Sequence, residues 1–138
     1  MSKIFTLSEA ASIALHSMVL IADNHDLLNV NVIAERSGFS KHHLAKVLQQ
    51  LVKAGFLRSV RGPKGGFKLT KDPQDITFLE IYEEIEGKVI ISDCPMGYDS
   101  CFFRSCILDT IVQDMTVKFR EFLESKKVSD FLTEGSVI

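Results

Sequence analysis

The sequence predicts a mainly α-helical fold that carries one small β-hairpin. Apolar residues recur at three- and four-residue steps over most of the chain, which is the spacing of amphipathic helices. Two short strand-like runs flank the glycine- and proline-containing stretch RGPKGG, which predicts a tight hairpin tip. With 138 residues, 46% of them hydrophobic, the chain can bury one core, so we expect one domain or a small domain with an appendage.

The first helix is predicted from the capping-box spacing of Thr6 and Glu9 and extends to about Ala22. Its buried side is expected to carry the apolar residues Leu7, Ala10, Ala14, Leu15, Met18 and Ile21.

Two short helices follow, separated by a turn around a glycine. Asn31 is predicted to cap the helix VIAERS, which Gly38 ends, and Ser40 to cap KHHLAKVLQQLVKA, which Gly55 ends. This arrangement is a helix-turn-helix, whose second helix enters the DNA major groove by its amino-terminal end. The candidate DNA-contacting residues at that end are Ser40, Lys41, His42 and His43, with Lys46 one turn further on.

The predicted hairpin has strands at 56–60 and 67–69. A hairpin directly after a recognition helix is a wing, and a basic tip suits a minor groove or a row of phosphates. An ordinary surface turn remains the alternative, and no Gly-Lys-Ser/Thr follows that would indicate a phosphate-binding loop. The tip residues are Arg61, Gly62, Pro63, Lys64 and Gly65.

Charge is distributed unevenly along the chain. The net charge is only −2, but residues 31–71 hold nine basic residues and one acidic residue, a net charge of +8. The remaining seven basic and seventeen acidic residues leave −10 on the rest of the chain. Such asymmetry is typical of a basic surface that binds an anion, set on an acidic body.

The chain after the hairpin is predicted to contain three further helices. Thr77 and Glu80 form a capping box for a helix that Gly87 ends. A long amphipathic helix spans about 106–126, and a short one at 128–132 is capped by Ser129, after which the last six residues fray. The long helix pairs with a second copy or packs back onto its own domain. Its apolar stripe consists of Leu108, Ile111, Met115, Phe119 and Phe122.

All three cysteines lie in CPMGYDSCFFRSC, at Cys94, Cys101 and Cys106, just before the long helix. An odd number of cysteines in a reducing compartment argues against a disulfide framework. The Cys-x2-Cys spacing usual for zinc is absent, whereas iron–sulfur clusters accept more varied loops, and a helix amino terminus favours thiolate. The segment therefore holds either metal ligands or free structural thiols.

Several classes of protein are disfavoured by the sequence. No apolar run reaches the roughly 18 to 20 residues that span a bilayer, and Glu9 and His16 interrupt the amino-terminal apolar stretch, which is unlike a signal peptide. We therefore expect a cytoplasmic protein without a membrane partner. No sequence context pairs a cysteine with a histidine and an orienting acid, so we do not expect an enzyme.

Three segments resemble a known family: IALHSMVLIA, NVIAERSGFSKHHLAKVLQQLVKAGFLRSVRGPKGGFKLTKDPQDIT and ITFLEIYEEIEG. The chain resembles the Rrf family of winged-helix transcriptional regulators, which includes IscR, NsrR and CymR. The resemblance implies a bacterial homodimer that represses or activates at a partly palindromic operator. It also implies a winged helix-turn-helix at 1–88, a cysteine-bearing sensor loop at 89–105, and a dimerisation helix with a tail at 106–138.

The resemblance implies roles for matching residues. Ser40, His42 and His43 would meet base edges or phosphates, together with the wing arginine, Arg61.

The resemblance also implies a cofactor. Cluster-binding members carry three cysteines between the fourth helix and the dimerisation helix, so Cys94, Cys101 and Cys106 would bind a 2Fe-2S or 4Fe-4S cluster that senses iron–sulfur status, redox state or nitric oxide. The fourth ligand stays open between Asp109 and a group from the partner's first helix, His16 or, less well placed, Glu9. The alternative is a cluster-free regulator that responds, as CymR-like members do, to thiol oxidation or to a metabolic enzyme.

Overall fold

The computed structural model of the chain describes residues 2–3 and 5–133. Their architecture is mainly helical with one two-stranded antiparallel hairpin, which confirms the predicted fold class. The helices are α1 (Glu9–Ala22), α2 (Val30–Ser37), α3 (Lys41–Lys53), α4 (Phe78–Glu86) and α5 (Ile111–Ser125), and the strands are β1 (Leu57–Val60) and β2 (Gly66–Leu69). Single 3-10 turns lie at Pro73–Asp75 and Val128–Phe131.

Helix α1 forms the centre of the core, where it packs against α3, α4, β2 and the final 3-10 turn. Its residues Ile13, Ala14 and Met18 are fully buried. Residues from every neighbouring element complete one continuous apolar cluster. Its fully buried members outside α1 include Ile33, Leu44, Leu48, Leu51, Ile76, Ile81 and Val128.

The amino terminus of α1 differs from the prediction. Ser8, not Thr6, is the cap, and its hydroxyl oxygen accepts a hydrogen bond from the Ala11 N–H at 3.0 Å. Because the helix begins at Glu9, Leu7 precedes it and stays 37% exposed rather than joining the core. The prediction that Thr6 caps α1 was therefore wrong by two residues.

Helix α2 also begins two residues earlier than predicted. Asn29 caps it, with its side-chain oxygen 2.9 Å from the Val32 N–H, and Asn31 lies inside the helix. The cause is tertiary: the carbonyl of Leu28 accepts a hydrogen bond from the Phe67 N–H at 2.9 Å. This isolated bridge to β2 holds the chain extended up to Leu28, so the helix starts directly after it.

The capping box of α4 is confirmed, and both of its hydrogen bonds are formed. The Glu80 N–H donates to the Thr77 hydroxyl at 3.2 Å, and the Thr77 N–H donates to the Glu80 carboxylate at 3.0 Å. Gly87 follows at a φ of 88°, a backbone conformation that ends the helix.

Helix α5 is shorter than the predicted span of 106–126. Residues 107–110 form turns and not helix, Asp109 adopts a positive φ of 54°, and Thr110 makes no side-chain capping bond. The helix therefore has 15 residues, about 22 Å at 1.5 Å per residue. It packs against α4 through Phe119, whose ring centroid lies 5.2 Å from that of Tyr82 and 5.0 Å from that of Phe5.

The last described residues return to α1. The predicted final helix is a 3-10 turn preceded by Lys127, so Ser129 is not its cap. The Val128 N–H donates to the Ile76 carbonyl at 3.0 Å, and Thr133 bonds to Asp23. Thr133 is thus held, contrary to the expectation of fraying, and the other five residues of that expectation lie outside the described part of the chain. None of the described helices has the length and apolar character needed to cross a membrane.

Candidate nucleic-acid interface and cysteine segment

The turn between α2 and α3 is built as the sequence predicts. Gly38 follows α2 with a φ of 79°, and its N–H donates to the Ala34 carbonyl at 2.9 Å. The hydroxyl of Ser40 then caps α3, since it accepts from the His43 N–H at 3.5 Å. Buried Ile33 and Leu44 lie beneath the two helices and hold them together. The result is a helix-turn-helix whose second helix is α3.

The outward face of α3 carries several of the predicted contact residues and a further exposed polar residue that the sequence analysis does not name. Lys41, His42 and Lys46 are exposed, which a side chain that contacts DNA requires. Gln49, three residues after Lys46, lies in the same shallow groove and is exposed as well. Its helical spacing was the available signal, and glutamine can bind adenine through two hydrogen bonds.

His43 differs from its neighbour His42 because it has a partner. Its Nδ1 atom lies 3.0 Å from the Glu9 carboxylate in the first turn of α1. Glu9 was not predicted at this surface, since 34 residues separate the two positions and only the fold brings them together.

The wing places its basic tip in solvent. Arg61, Pro63 and Lys64 are exposed, and β1 and β2 pair with Val60 opposite Gly66. A Cβ atom at Gly66 would lie 2.6 Å from the Leu28 carbonyl, so the absent side chain lets the wing approach the segment before α2.

The cations of this surface are not neutralised by neighbouring acids. The described residues hold two close contacts between a basic and an acidic side chain, His43–Glu9 and Arg120–Glu124, and the first is an ion pair only when His43 is protonated. Lys41, Lys46, Arg61 and Lys64 take part in neither of them, so their charges are available to an anionic ligand.

The cysteine segment contains three free thiols. Cys94 is half-buried, whereas Cys101 and Cys106 are exposed. Within residues 2–3 and 5–133, no three His, Cys, Asp or Glu side chains lie close enough together to hold a metal ion. The single chain therefore does not assemble the predicted ligand set. The predicted thiolate-stabilising helix terminus is also displaced, because α5 begins at Ile111 and not at Cys106.

Cys94 lies in a tight turn that favours its thiolate form. The Gly97 N–H donates to the Cys94 carbonyl at 2.9 Å, and this turn directs further backbone N–H groups toward the sulfur. The backbone N–H of Tyr98 is the main cause that lowers the pKa of the Cys94 thiol, followed by that of Met96. Burial of the sulfur raises the pKa by a smaller amount and does not offset them.

Asp109 and His16, the two main candidates for a fourth ligand, lie in different places. Asp109 lies beside Cys106 in a groove in front of α5. His16 lies on α1, where its Nδ1 atom is 2.6 Å from the Ser12 carbonyl and its ring packs edge-on against Phe39. Neither joins the three cysteines in a metal-binding group of the described chain.

Comparison with known proteins gives consistent matches. A model of the Rrf2 family, described as an iron-dependent transcriptional regulator, matches residues 7–134. The transcriptional regulator IscR of Vibrio parahaemolyticus is 27% identical over 137 residues, which cover 97% of this chain and 76% of that protein. The regulator NsrR of Geobacillus kaustophilus is 26% identical over 114 residues, which cover 81% of this chain and 78% of that protein.

Solved structures of regulators have the same fold. IscR of T. potens superimposes with a TM-score of 0.75 at 25% identity, over 96% of this chain and 90% of that chain. CymR, the global cysteine regulator of B. subtilis, superimposes with a TM-score of 0.74 at 22% identity, over 96% of this chain and all of that chain. The predicted winged helix-turn-helix is confirmed by these likenesses, and the prediction that the chain is no enzyme is confirmed by the family. The chain belongs to the Rrf2 family of DNA-binding transcriptional regulators.

Proposed function

We propose that the chain binds a bacterial operator with the start of α3 in the major groove and the wing tip against the neighbouring backbone or minor groove. The observation that carries this proposal is the set of exposed cations without acidic partners at both elements. Direct contacts are proposed for Ser40, Lys41, His42, His43 and Lys46 in α3 and for Arg61, Gly62, Pro63 and Lys64 in the wing. The predicted contact at Gly65 is not retained, because Gly65 is buried against the backbone of the hairpin.

The regulator acts as a homodimer in this proposal. One face of α5 leaves Ile111, Met115 and Phe122 between 42% and 53% exposed, and Leu108 just before the helix is 44% exposed. A contiguous apolar stripe on a helix is stabilised when a second copy covers it. Two-fold pairing would also set two recognition helices at the spacing of DNA half-sites.

The sensor is proposed to be an iron–sulfur cluster held by Cys94, Cys101 and Cys106. The donor set fits, because three soft thiolates suit such clusters and Cys94 already lies in a turn that favours its thiolate. A bound cluster would supply reversible reduction and reactivity toward oxygen or nitric oxide. The chain's own contribution is to bring Cys101 and Cys106 from solvent toward Cys94, with Asp109 beside Cys106 or His16 of the partner subunit at the fourth position.

A cluster-free sensor is the second candidate. Exposed Cys101 and Cys106 and the lowered pKa of Cys94 are also features of thiols that react with oxidants. In that case reversible oxidation of the cysteine segment, or docking of a partner enzyme, would replace the cluster.

Spectroscopy of the full chain separates the two candidates. After anaerobic reconstitution with iron and sulfide, the cluster proposal expects visible charge-transfer absorbance and bound iron, both lost in the triple variant Cys94→Ala, Cys101→Ala, Cys106→Ala. Separate Asp109→Ala and His16→Ala variants identify the fourth ligand by reduced iron retention. Wild-type protein that binds no iron, but whose DNA affinity changes on mild oxidation, would support the cluster-free sensor instead.

A further inference from the structure

The pair between Glu9 and His43 joins two helices at the surface proposed to meet DNA. The described residues hold two close contacts between a basic and an acidic side chain, and this is the one that connects separate elements, because Arg120 and Glu124 are one turn apart in α5. The Glu9 carboxylate lies 3.0 Å from His43 Nδ1, with both side chains more than one-third exposed. Glu9 lies in the first turn of α1 and His43 in the first turn of α3.

Glu9 lies on a turn that hydrogen bonds hold in place. Ser8 caps α1 by accepting from the Ala11 N–H at 3.0 Å, and its hydroxyl donates to the Glu86 carboxylate at the end of α4. The first turn of α1 is therefore tied to a second helix. A side chain carried on such an anchored turn can hold its partner in one orientation.

The chemistry of the pair determines which nitrogen of His43 carries hydrogen. An ionised carboxylate only accepts hydrogen bonds, so Nδ1 must be the donor. In a neutral imidazole the other nitrogen, Nε2, then has no hydrogen and is an acceptor. His42 has no described side-chain bond that would select one of its tautomers in this way.

We propose that Glu9 is a positioning residue for operator recognition, which presents Nε2 of His43 to the major groove as a hydrogen-bond acceptor. In that groove the donors are the exocyclic amino groups of adenine and cytosine. For neutral His43 the facing base is therefore adenine or cytosine, whereas an imidazolium carries hydrogen on both nitrogens and would face the acceptor edge of guanine. This inference rests on the proposed contact between His43 and DNA.

The test compares single and double variants of the full chain on duplex DNA. A pool of duplexes enriched by the wild-type protein in mildly alkaline buffer, where His43 is neutral, defines the operator, and binding is then measured in that buffer on duplexes that each change one base pair. His43→Ala should lose about tenfold discrimination at one position of each half-site, where adenine or cytosine is preferred. Glu9→Ala should weaken discrimination at that same position, and Glu9→Ala with His43→Ala should be no worse than His43→Ala alone.

Two controls exclude other roles for Glu9. Glu9→Gln keeps the size of the side chain but can also donate to Nδ1, so it should no longer select one tautomer and should lose discrimination as Glu9→Ala does. His42→Ala should not alter the preference at the His43 position. Nitrogen NMR spectra of the free protein in mildly alkaline buffer should show hydrogen on Nδ1 of His43 in the wild type and a mixture of tautomers in Glu9→Ala.

Distinct outcomes overturn the inference and the proposal beneath it. If Glu9→Ala tightens binding to all duplexes equally, Glu9 only repels phosphates, and the inference is wrong. If His43→Ala removes the preference but Glu9→Ala leaves it unchanged, the inference fails while the proposed contact stands. If His43→Ala changes no base preference, the contact itself is refuted and the inference with it.

Discussion

Asp23 shows how one carboxylate ties the end of the described chain to the centre of the fold. It accepts a hydrogen bond from the Thr133 hydroxyl at 2.7 Å and one from the Thr133 N–H at 2.8 Å. The side-chain bond is the largest cause that lowers the Asp23 pKa below its ordinary value of 3.8, followed by the backbone bond. Burial raises the pKa by less, and His25 lowers it slightly further.

The Asp23 bonds predict a stability that depends on pH. Because the pKa is lower in the folded chain than in the unfolded chain, the stabilisation is complete above the unfolded pKa. It is lost as pH falls through the folded pKa. Thermal unfolding should show Asp23→Asn less stable than wild type at neutral pH, with the difference shrinking in acid. Asp26→Asn, at an exposed acid nearby, should lack this effect, and a pH-independent difference for Asp23→Asn would contradict the explanation.

At the scale of elements, the turn between α2 and α3 requires glycine at position 38 because of its backbone conformation and not because a side chain would meet a steric clash. A Cβ atom at Gly38 would meet no atom within 4 Å, yet the φ of 79° is unfavourable for residues with a side chain. Gly38→Ala should therefore cost about 1 kcal/mol of unfolding free energy, and Gly38→Asn less, because asparagine tolerates this conformation better. Urea unfolding measures both variants, and equal losses would contradict a conformational cause.

At the scale of the whole molecule, the exposed stripe of α5 predicts the oligomeric state. Met115 is 42% exposed in the middle of this stripe. Met115→Lys would place a charge in the apolar interface, where burial without a partner is unfavourable. Sedimentation velocity should find a dimer for the wild type and mostly monomer for this variant.

Glu121→Lys introduces the same side chain at an exposed position of α5 outside the stripe, and it should leave the dimer intact. Loss of the dimer in both variants would indicate a general effect of charge on α5. A wild type that stays monomeric would refute the proposed pairing.

The sequence by itself determined the features that depend on neighbours three or four residues away. Three such features involve hydrogen bonds between residues at most four positions apart. They are the Ser40 cap of α3, the reciprocal bonds of Thr77 and Glu80, and Gly38 at the turn. The spacing of apolar residues in α3 likewise identified its buried face, with Leu44 and Leu48 in the core. Local hydrogen bonds and helical periodicity are encoded in consecutive residues, so they can be read before the fold is known.

Only the tertiary structure decided the features that depend on distant partners. Asn29 begins α2 because Leu28 pairs with Phe67, and the Glu9–His43 pair exists because α1 packs against α3. The spacing of apolar residues predicted a helix that includes Asp109, but the positive φ of this residue separates the preceding turns from α5. The three cysteines lie within one segment of the sequence, but proximity along an irregular chain does not bring their sulfurs together. These contacts join residues far apart in sequence, and the packing of the whole chain selects them among many local alternatives.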